Sequence, residues 1–477
     1  MTDKILLEEQ DFLNAALSGD NSSRKLLIGK LDQYFDSGSY ELIRDFFMRL
    51  HPADAAHVLE FFSPEKACAF IKLFKIEDQT KIFNYLPAGF EAKMAKILGR
   101  KELAKIVSAM SHDERADLFN RLTPEQQEEI LPALAQAERE DIRKLSSYPE
   151  DTAGSVMTSD YCALQPDITA KEAIEKLRME APDKETIYQS FVINENRQLL
   201  GVVSLRELLV ASPGVKVKEI MNPKPIFGKA EDEAEDIADT MAKYDLMAMP
   251  IINGNDKLVG IVTFDDVHDI IEEEATEDFH KMGSISGHGE SITGINFLQV
   301  SPWLLIQKRL PWLLALVFVN LLSGAGIAFF EDTIQAVVAL VFFLPLLIAS
   351  GGNAGAQSAT LMVRAIATGD VQAKDWLRLL GREVGIAMFL GVGMALAVSF
   401  IGIFRAGPEV AVVVALTMMA VVLFGSLVGC LLPFLLTKLK MDPATASAPL
   451  ITSIADVGGI LIYFGIATWI LEVHPVV

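Results

Sequence analysis

The chain has 477 residues, too many for one ordinary domain, and a formal net charge of −21 from 63 acidic against 42 basic residues. That charge argues against nucleic acid as a partner, because a phosphate backbone needs a basic surface. No GxxxxGK[ST] loop, HExxH or assignable Ser/His/Asp set is present, which argues against an enzyme or an ATP-driven pump.

The acidic residues are concentrated before about Gly283, and from Trp303 onward long apolar runs carry few charges. The opening MTDKILLEEQDF lacks the basic-then-apolar pattern of a signal peptide, so the polar part is expected to stay in the cytosol, where it is made. Cys68, Cys162 and Cys430 are widely spaced, which suits reduced thiols better than a disulfide framework or a zinc site.

Cut every twelve residues from His51, the chain reads HPADAAHVLEFF, SPEKACAFIKLF, KIEDQTKIFNYL and so on to TPEQQEEILPAL. Apolar residues recur at the eighth, ninth and twelfth positions: Val58, Leu59, Phe62; Phe70, Ile71, Phe74; Ile82, Phe83, Leu86; Leu118, Phe119, Leu122. That spacing puts them on one helical stripe. Ser63-Pro64-Glu65 and Thr123-Pro124-Glu125-Gln126 carry helix-start signals, the second a capping box. The expectation is an all-α superhelical repeat domain over residues 1–150.

A second duplication follows. Ser155-Val156-Met157-Thr158 recurs as Glu219-Ile220-Met221-Asn222, and LGVVSLREL from Leu200 recurs as VGIVTFDDV from Val259. Between them lie amphipathic helices (171–179 and 233–244) and apolar strands (190–193 and 248–252). This order resembles a tandem pair of CBS domains, the cystathionine-β-synthase type, over residues 151–278. Such pairs commonly bind adenine nucleotides between their repeats. The resemblance nominates Thr263 and Asp266, with Ser204 and Glu207 as their counterparts, Arg206 for phosphate and Tyr188 for stacking on a base. ATP or another adenine nucleotide is the implied ligand. The same polar residues also suit plain helix capping.

Beyond a Gly-rich connector, five apolar runs are long enough to span a bilayer: 310–330, 334–350, 384–404, 410–436 and 449–471. The second is short unless it continues into the small-residue stretch that follows. Lys308, Arg309, Arg364, Lys374, Arg378, Arg382, Lys438 and Lys440 fall on one side, against Arg405 on the other. That asymmetry predicts a cytosolic N-terminal region and an external C-terminus. Two polar features interrupt the spans: GGNAGAQSAT from Gly351, with Asn353 and Gln357, and Asp456 in the fifth span. A mid-bilayer aspartate costs roughly 2.5–3.5 kcal/mol, so it usually faces a cavity, a partner or an ion. A cation site is favoured; a proton relay, or a packing carboxylate bonded to Ser453, are the other readings.

With PLLIASGGNAGAQSATLMVRAIATGD and MDPATASAPLITSIADVGGILIYF, the whole chain resembles the MgtE family of magnesium channels. The resemblance implies a multidomain protein: the helical repeat, the α/β CBS pair, a connecting plug-type helix (279–309) and a five-helix transmembrane domain (310–477). It implies a homodimer in a bacterial plasma membrane, surrounded by lipid, with both copies of Asp456 facing one Mg²⁺ and with Asn353 and Gln357 lining the pore. Mg²⁺ prefers oxygen ligands and gives up water reluctantly, so paired carboxylates can hold it through its hydration shell. The resemblance further implies closure by Mg²⁺ bound on the cytosolic side, through Asp113, Asp117, Gly154, Glu235, Ala242, Asp245, Asp266, Asp269, Glu274 and Glu277. The plain alternative for these acids is a set of solvated helix faces. Family members often carry Asn where this chain has Ala448, which removes one polar side chain from the implied pore. A proton-coupled divalent-cation transporter and a membrane-tethered nucleotide sensor are the competing functional readings.

Overall fold

Successive helices open twelve residues apart: Pro52–Leu59, Pro64–Ile71, Ile76–Asn84, Ala88–Leu98, Arg100–Ser108, His112–Arg121, Pro124–Ile130 and Gln136–Leu145. They belong to a computed structural model that describes residues 20–285 and 301–472, in two compact units, Met1–Glu273 and Glu274–Val477. The acidic opening dodecapeptide and residues 286–300 of the connector lie outside the described residues.

The local signals act as expected. Ser63 Oγ accepts the N–H of Lys66 at 3.4 Å, and Thr123 and Gln126 close a reciprocal box at 3.0 and 3.4 Å, each ahead of a proline in the first turn. Val58, Leu59, Phe70, Ile71, Ile82, Phe83 and Leu118 are buried together, while Phe119 packs only at the edge of that core. Burying one such side chain contributes about 1.5–3 kcal/mol. Each helix packs mainly on the one two units ahead, as Pro52–Leu59 does on Ile76–Asn84 and Pro64–Ile71 does on Ala88–Leu98. Side-chain bonds repeat at an interval of their own: Asn84–Glu114, Ser108–Glu138 and Arg121–Glu91 each join residues 30 apart.

The CBS pair forms two three-stranded sheets of the same plan. In the first, β2 (Thr186–Ile193) runs parallel to β1 (Tyr161–Leu164) and antiparallel to β3 (Leu199–Ser204). In the second, β5 (Ala248–Ile252) runs parallel to β4 (Gly228–Lys229) and antiparallel to β6 (Leu258–Thr263). The duplicated tetrapeptides cross between repeats: Thr158 exchanges backbone bonds with Ile261 of β6 at 2.8 and 2.9 Å, and Asn222 with Val202 of β3 at 2.8 and 3.1 Å. Gly201 and Gly260 make room for this. A Cβ on Gly201 would lie 2.6 Å from the Asn222 carbonyl, and one on Gly260 would lie 2.5 Å from Met157 Sδ. The last CBS helix, Phe264–Met282, continues without a break past residue 278, where the module was expected to end.

Among the described residues of the second unit, five helices are long and apolar enough to cross a membrane: Pro302–Phe329, Leu340–Ala367, Trp376–Ala406, Pro408–Lys438 and Ala448–Ile470. The first and third start well before the apolar runs at 310 and 384. Helical hydrogen bonding continues through basic flanks such as Lys308-Arg309 and Arg378–Arg382 that hydropathy leaves out. The expected second span at 334–350 is corrected. Residues Glu331–Ala336 form a separate short helix, Val337 breaks it at φ −136° and ψ 78°, and the spanning helix runs from Leu340 through the whole small-residue stretch. The buried Tyr463 hydroxyl donates to Leu340 O at 2.8 Å and anchors that restart. All three cysteines are buried and free.

Candidate ion-binding and ligand sites

The small-residue stretch works by backbone contact. Gly351 and Gly355 meet Gly425 and Gly429 of the Pro408–Lys438 helix, each pair one turn apart, and a Cβ on Gly355 would lie 2.8 Å from Gly425 O. On the Leu340–Ala367 helix, Gly352 packs against Thr452 and Gly355 also meets Ile451, both of the Ala448–Ile470 helix. With those faces occupied, Asn353 and Gln357, four residues apart, are left together on an exposed face.

Asp456 is half-buried on the Ala448–Ile470 helix, three residues beyond buried Ser453. Ser453 Oγ is bonded to Pro449 O at 2.9 Å, so the expected alternative of a Ser453–Asp456 bond does not form. Among the described residues Asp456 has no hydrogen-bond or ion-pair partner. Gly458 and Gly459 next to it pack against Phe424 and Val421. Ala448 opens the helix directly after its N-cap, Ser447.

Glu277 lies elsewhere. It pairs with Lys281 at 2.8 Å, and Lys281 also reaches Asp442 at 2.5 Å. Asp442 in turn caps the Pro443–Thr445 turn ahead of the last span, accepting the Ala444 N–H at 2.7 Å. Ser284 bonds Ser447 at 2.7 Å, and Met282 packs on the apolar group that includes Ala444, Ala446 and Ile451. Burial first, and then the charge of Asp442, raise the Asp278 carboxyl above its ordinary range.

In the first unit the folding gathers acids that are remote in sequence. Asp113 and Asp117 share one face of His112–Arg121, and Asp266, Asp269 and Glu273 lie along Phe264–Met282. Burial raises Asp113 against its hydrogen bonds, and it raises Asp266, which the charges of Asp113 and Asp265 push further. Asp117 is pushed up to about 6, by burial first and then by Asp113 and Glu273 against the opposing charge of Arg121. Glu185, not anticipated, is pushed up to about 7 by partial desolvation and by Asp113 and Asp265, although the residue as a whole stays exposed. Asp269 and Glu273 stay exposed, and partial desolvation with the charges of neighbouring acids raises both carboxyls.

Asp113 is 8% exposed, and its Oδ1 has no hydrogen-bond partner. An oxygen-only donor set with an orphaned buried carboxylate oxygen suits a hard divalent cation. Among the described residues, no three His, Cys, Asp or Glu side chains converge closely enough to hold one ion. The cluster is one of mutual repulsion rather than a finished coordination sphere.

The remaining nominated positions fall into two groups. Glu235 lies in the first turn of Ala234–Lys243, Ala242 in its last turn, and Asp245 just beyond it at φ 52°. The Ala153–Val156 turn packs on that helix, and Gly154 lies directly against the Tyr148 ring, which leaves no room for a side chain. Glu274 follows Glu273 on the Phe264–Met282 helix, at the start of the second unit. Of the signals missed, Arg121 and Glu273 each lie four residues beyond a nominated aspartate and could have been read from helical spacing. Glu91 and Glu185 had no local signal.

Tyr188 and Arg206 do come together, in a cleft of about 570 Å³ lined also by Ser204, Leu209, Val210 and Met247. Glu207 is instead bonded to the N–H and Oγ of Ser204 at 2.7 and 2.8 Å, and Thr263 Oγ1 donates to Asp266 Oδ2 at 2.6 Å. Both acids therefore act as helix caps, and neither Thr263 nor Asp266 lines the cleft.

Comparison with known proteins matches every part of this architecture. A family model described as a divalent cation transporter, MgtE, matches residues 344–466; the MgtE intracellular N domain matches 50–151; and the CBS domain matches twice, at 153–214 and 217–273. The magnesium transporter MgtE of Thermus thermophilus is 34% identical over 445 residues, covering 93% of this chain and 98% of its own. That of Bacillus subtilis is 33% identical over 430 residues, covering 89% and 94%. Among solved structures, the cytosolic domain of the Mg²⁺ channel MgtE in complex with ATP is 32% identical at a TM-score of 0.49, covering 50% of this chain and 98% of that one.

Proposed function

The chain belongs to the MgtE family of magnesium transporters, and we propose that it is a Mg²⁺-selective channel closed by Mg²⁺ bound to its own soluble unit. As a member of that family it is not an enzyme. Its two copies pair in the bacterial plasma membrane with the N-terminal region in the cytosol and the C-terminus outside, the orientation favoured by the basic residues between the spans. Asp456 from each copy faces one hydrated ion, and Asn353 and Gln357 line the approach. In support, Asp456 has no protein partner among the described residues, and the two amides share an exposed face.

The observation that carries the gating reading is the acidic cluster. Asp113, Asp117, Asp266 and Glu273 come from two helices distant in sequence; all four carboxyls are raised, and repulsion from neighbouring acids contributes for Asp117, Asp266 and Glu273. A divalent cation among them replaces repulsion with attraction and draws the two helices together. Phe264–Met282 carries Asp266 near its start, Glu273 at its middle and Lys281 near its end, so binding along its first half can bias contacts at its end. Glu235, Ala242, Asp245 and Gly154 are proposed as a second binding region on the family resemblance alone, and Asp269, Glu274 and Glu277 as contributors along the long helix. Adenine nucleotide is the proposed occupant of the Tyr188–Arg206 cleft, with the ring of Tyr188 against the base and Arg206 toward phosphate.

The deciding experiment is Mg²⁺ flux into vesicles containing the purified chain, with internal Mg²⁺ varied. Flux that follows membrane potential without a pH gradient, and falls as internal Mg²⁺ rises into the millimolar range, supports the channel. Strict dependence on a proton gradient would replace it with a coupled transporter.

A further inference from the structure

Arg121 lies within the acidic cluster. Its guanidinium donates to Glu91 Oε2 at 3.0 Å and lies 4.0 Å from Asp117 Oδ2, and its charge also acts on Glu273. Glu91 is 4% exposed, so this ion pair fixes Arg121 to the Ala88–Leu98 helix, one of the repeat's thirty-residue contacts. Arg121 itself stays 41% exposed, but losing it would leave the buried Glu91 unpaired, which favours keeping the cation in place.

We propose that Arg121 is the resident counter-ion of this cluster, competing with divalent cation for Asp117 and so setting the Mg²⁺ concentration at which the soluble unit locks. The inference rests on the gating reading above. Without Mg²⁺, the guanidinium attracts Asp117 and Glu273 and partly offsets their repulsion. When Mg²⁺ enters, its double charge repels the guanidinium about twice as strongly as one carboxylate attracts it at equal distance. Arg121 therefore steadies the ion-free arrangement and weakens the ion-bound one. The result is a threshold raised above what the carboxylates alone would give.

The test is limited proteolysis of the purified full-length chain in detergent across a Mg²⁺ titration. Arg121→Gln is expected to give less protection without Mg²⁺ but a midpoint lower by about three- to tenfold. Glu91→Gln releases Arg121 from its anchor toward Asp117 and is expected to raise the midpoint by a similar factor, while Arg121→Lys stays near the parent. A purely structural role would lower protection at every concentration and raise the midpoint in Arg121→Gln. That outcome, or unmoved midpoints in both variants, overturns the proposal. If Arg121→Gln fails to fold with Glu91 buried and unpaired, the double variant Glu91→Gln/Arg121→Gln carries the same expectation of a lower midpoint. A parent chain indifferent to Mg²⁺ would overturn the gating reading itself; a responsive parent with unresponsive variants removes only the counter-ion.

Discussion

Lys281 Nζ lies 2.5 Å from Asp442 Oδ2, so one ammonium joins the end of the Phe264–Met282 helix to the turn that precedes the Asp456-bearing span. Burial works against this ammonium, but Asp442 and Glu277 more than offset it and raise its pKa. If the contact transmits closure, Lys281→Met raises the internal Mg²⁺ needed to halve flux by about three- to tenfold, consistent with a partly buried pair. Asp442→Asn should act in the same direction, and the double variant should match the single ones, because all three remove one contact. Vesicle flux at graded internal Mg²⁺ measures this.

Asp456→Ala should reduce Mg²⁺ uptake to the level of protein-free vesicles, with the chain still folded by size-exclusion profile. Asp456→Asn keeps the shape but loses the charge, and should retain less than about a tenth of uptake. Unchanged uptake in Asp456→Ala would falsify the pore assignment.

The cluster also predicts a pH dependence. Asp117 at about 6 and Glu185 at about 7 have folded pKa values above their ordinary ones, 3.8 and 4.5. Such groups favour the folded arrangement fully below the ordinary values, and that contribution is lost as pH rises through about 6–7. Without Mg²⁺, protease resistance of the soluble unit should therefore be higher at pH 5.5 than at pH 8, roughly following these titrations. Added Mg²⁺ should restore resistance mainly at the higher pH, since protons and Mg²⁺ compete for the same oxygens.

Gly425→Val or Gly429→Val puts a side chain onto the backbone of Gly351 or Gly355. Loss of monodisperse protein from detergent extracts is expected, as the two helices cannot separate without disturbing Thr452 and Ile451 of the Ala448–Ile470 helix. Gly393→Ala, where nothing lies within 4 Å of the added carbon, should be tolerated.

Tyr188→Ala should weaken adenine nucleotide binding, measured by calorimetry on the whole chain, by at least about tenfold, since stacking a base on an aromatic ring contributes roughly 1–3 kcal/mol. Asp266→Asn should leave that affinity almost unchanged, because Asp266 caps Thr263 and lies off the cleft.

The repeat, the duplicated module and the number of spans were legible from periodicity. A twelve-residue spacing of apolar pairs imposes its own helix starts, and the duplicated Gly-Val-Val and Gly-Ile-Val strands mark the two sheets. The break at Val337 was not legible, because the apolar run continues across it while the backbone turns and Tyr463 holds the restart. Nucleotide residues nominated by motif divided in the same way. Tyr188 and Arg206 meet, whereas Glu207 and Asp266 are committed to caps that any Ser-x-x-Glu or Thr-x-x-Asp can make.

Composition and pattern alone thus determined an acidic helical and CBS region followed by five apolar helices, with one carboxylate well inside the membrane part. Local forces suffice for that: stripe burial, capping and the cost of charge in hydrocarbon act over a few residues at a time. Only the tertiary structure decided which acids share a field. Glu185 and Glu91 are brought near Asp113, Asp117 and Arg121 by chain paths of tens of residues, and electrostatic coupling depends on distance in space, not on spacing in sequence.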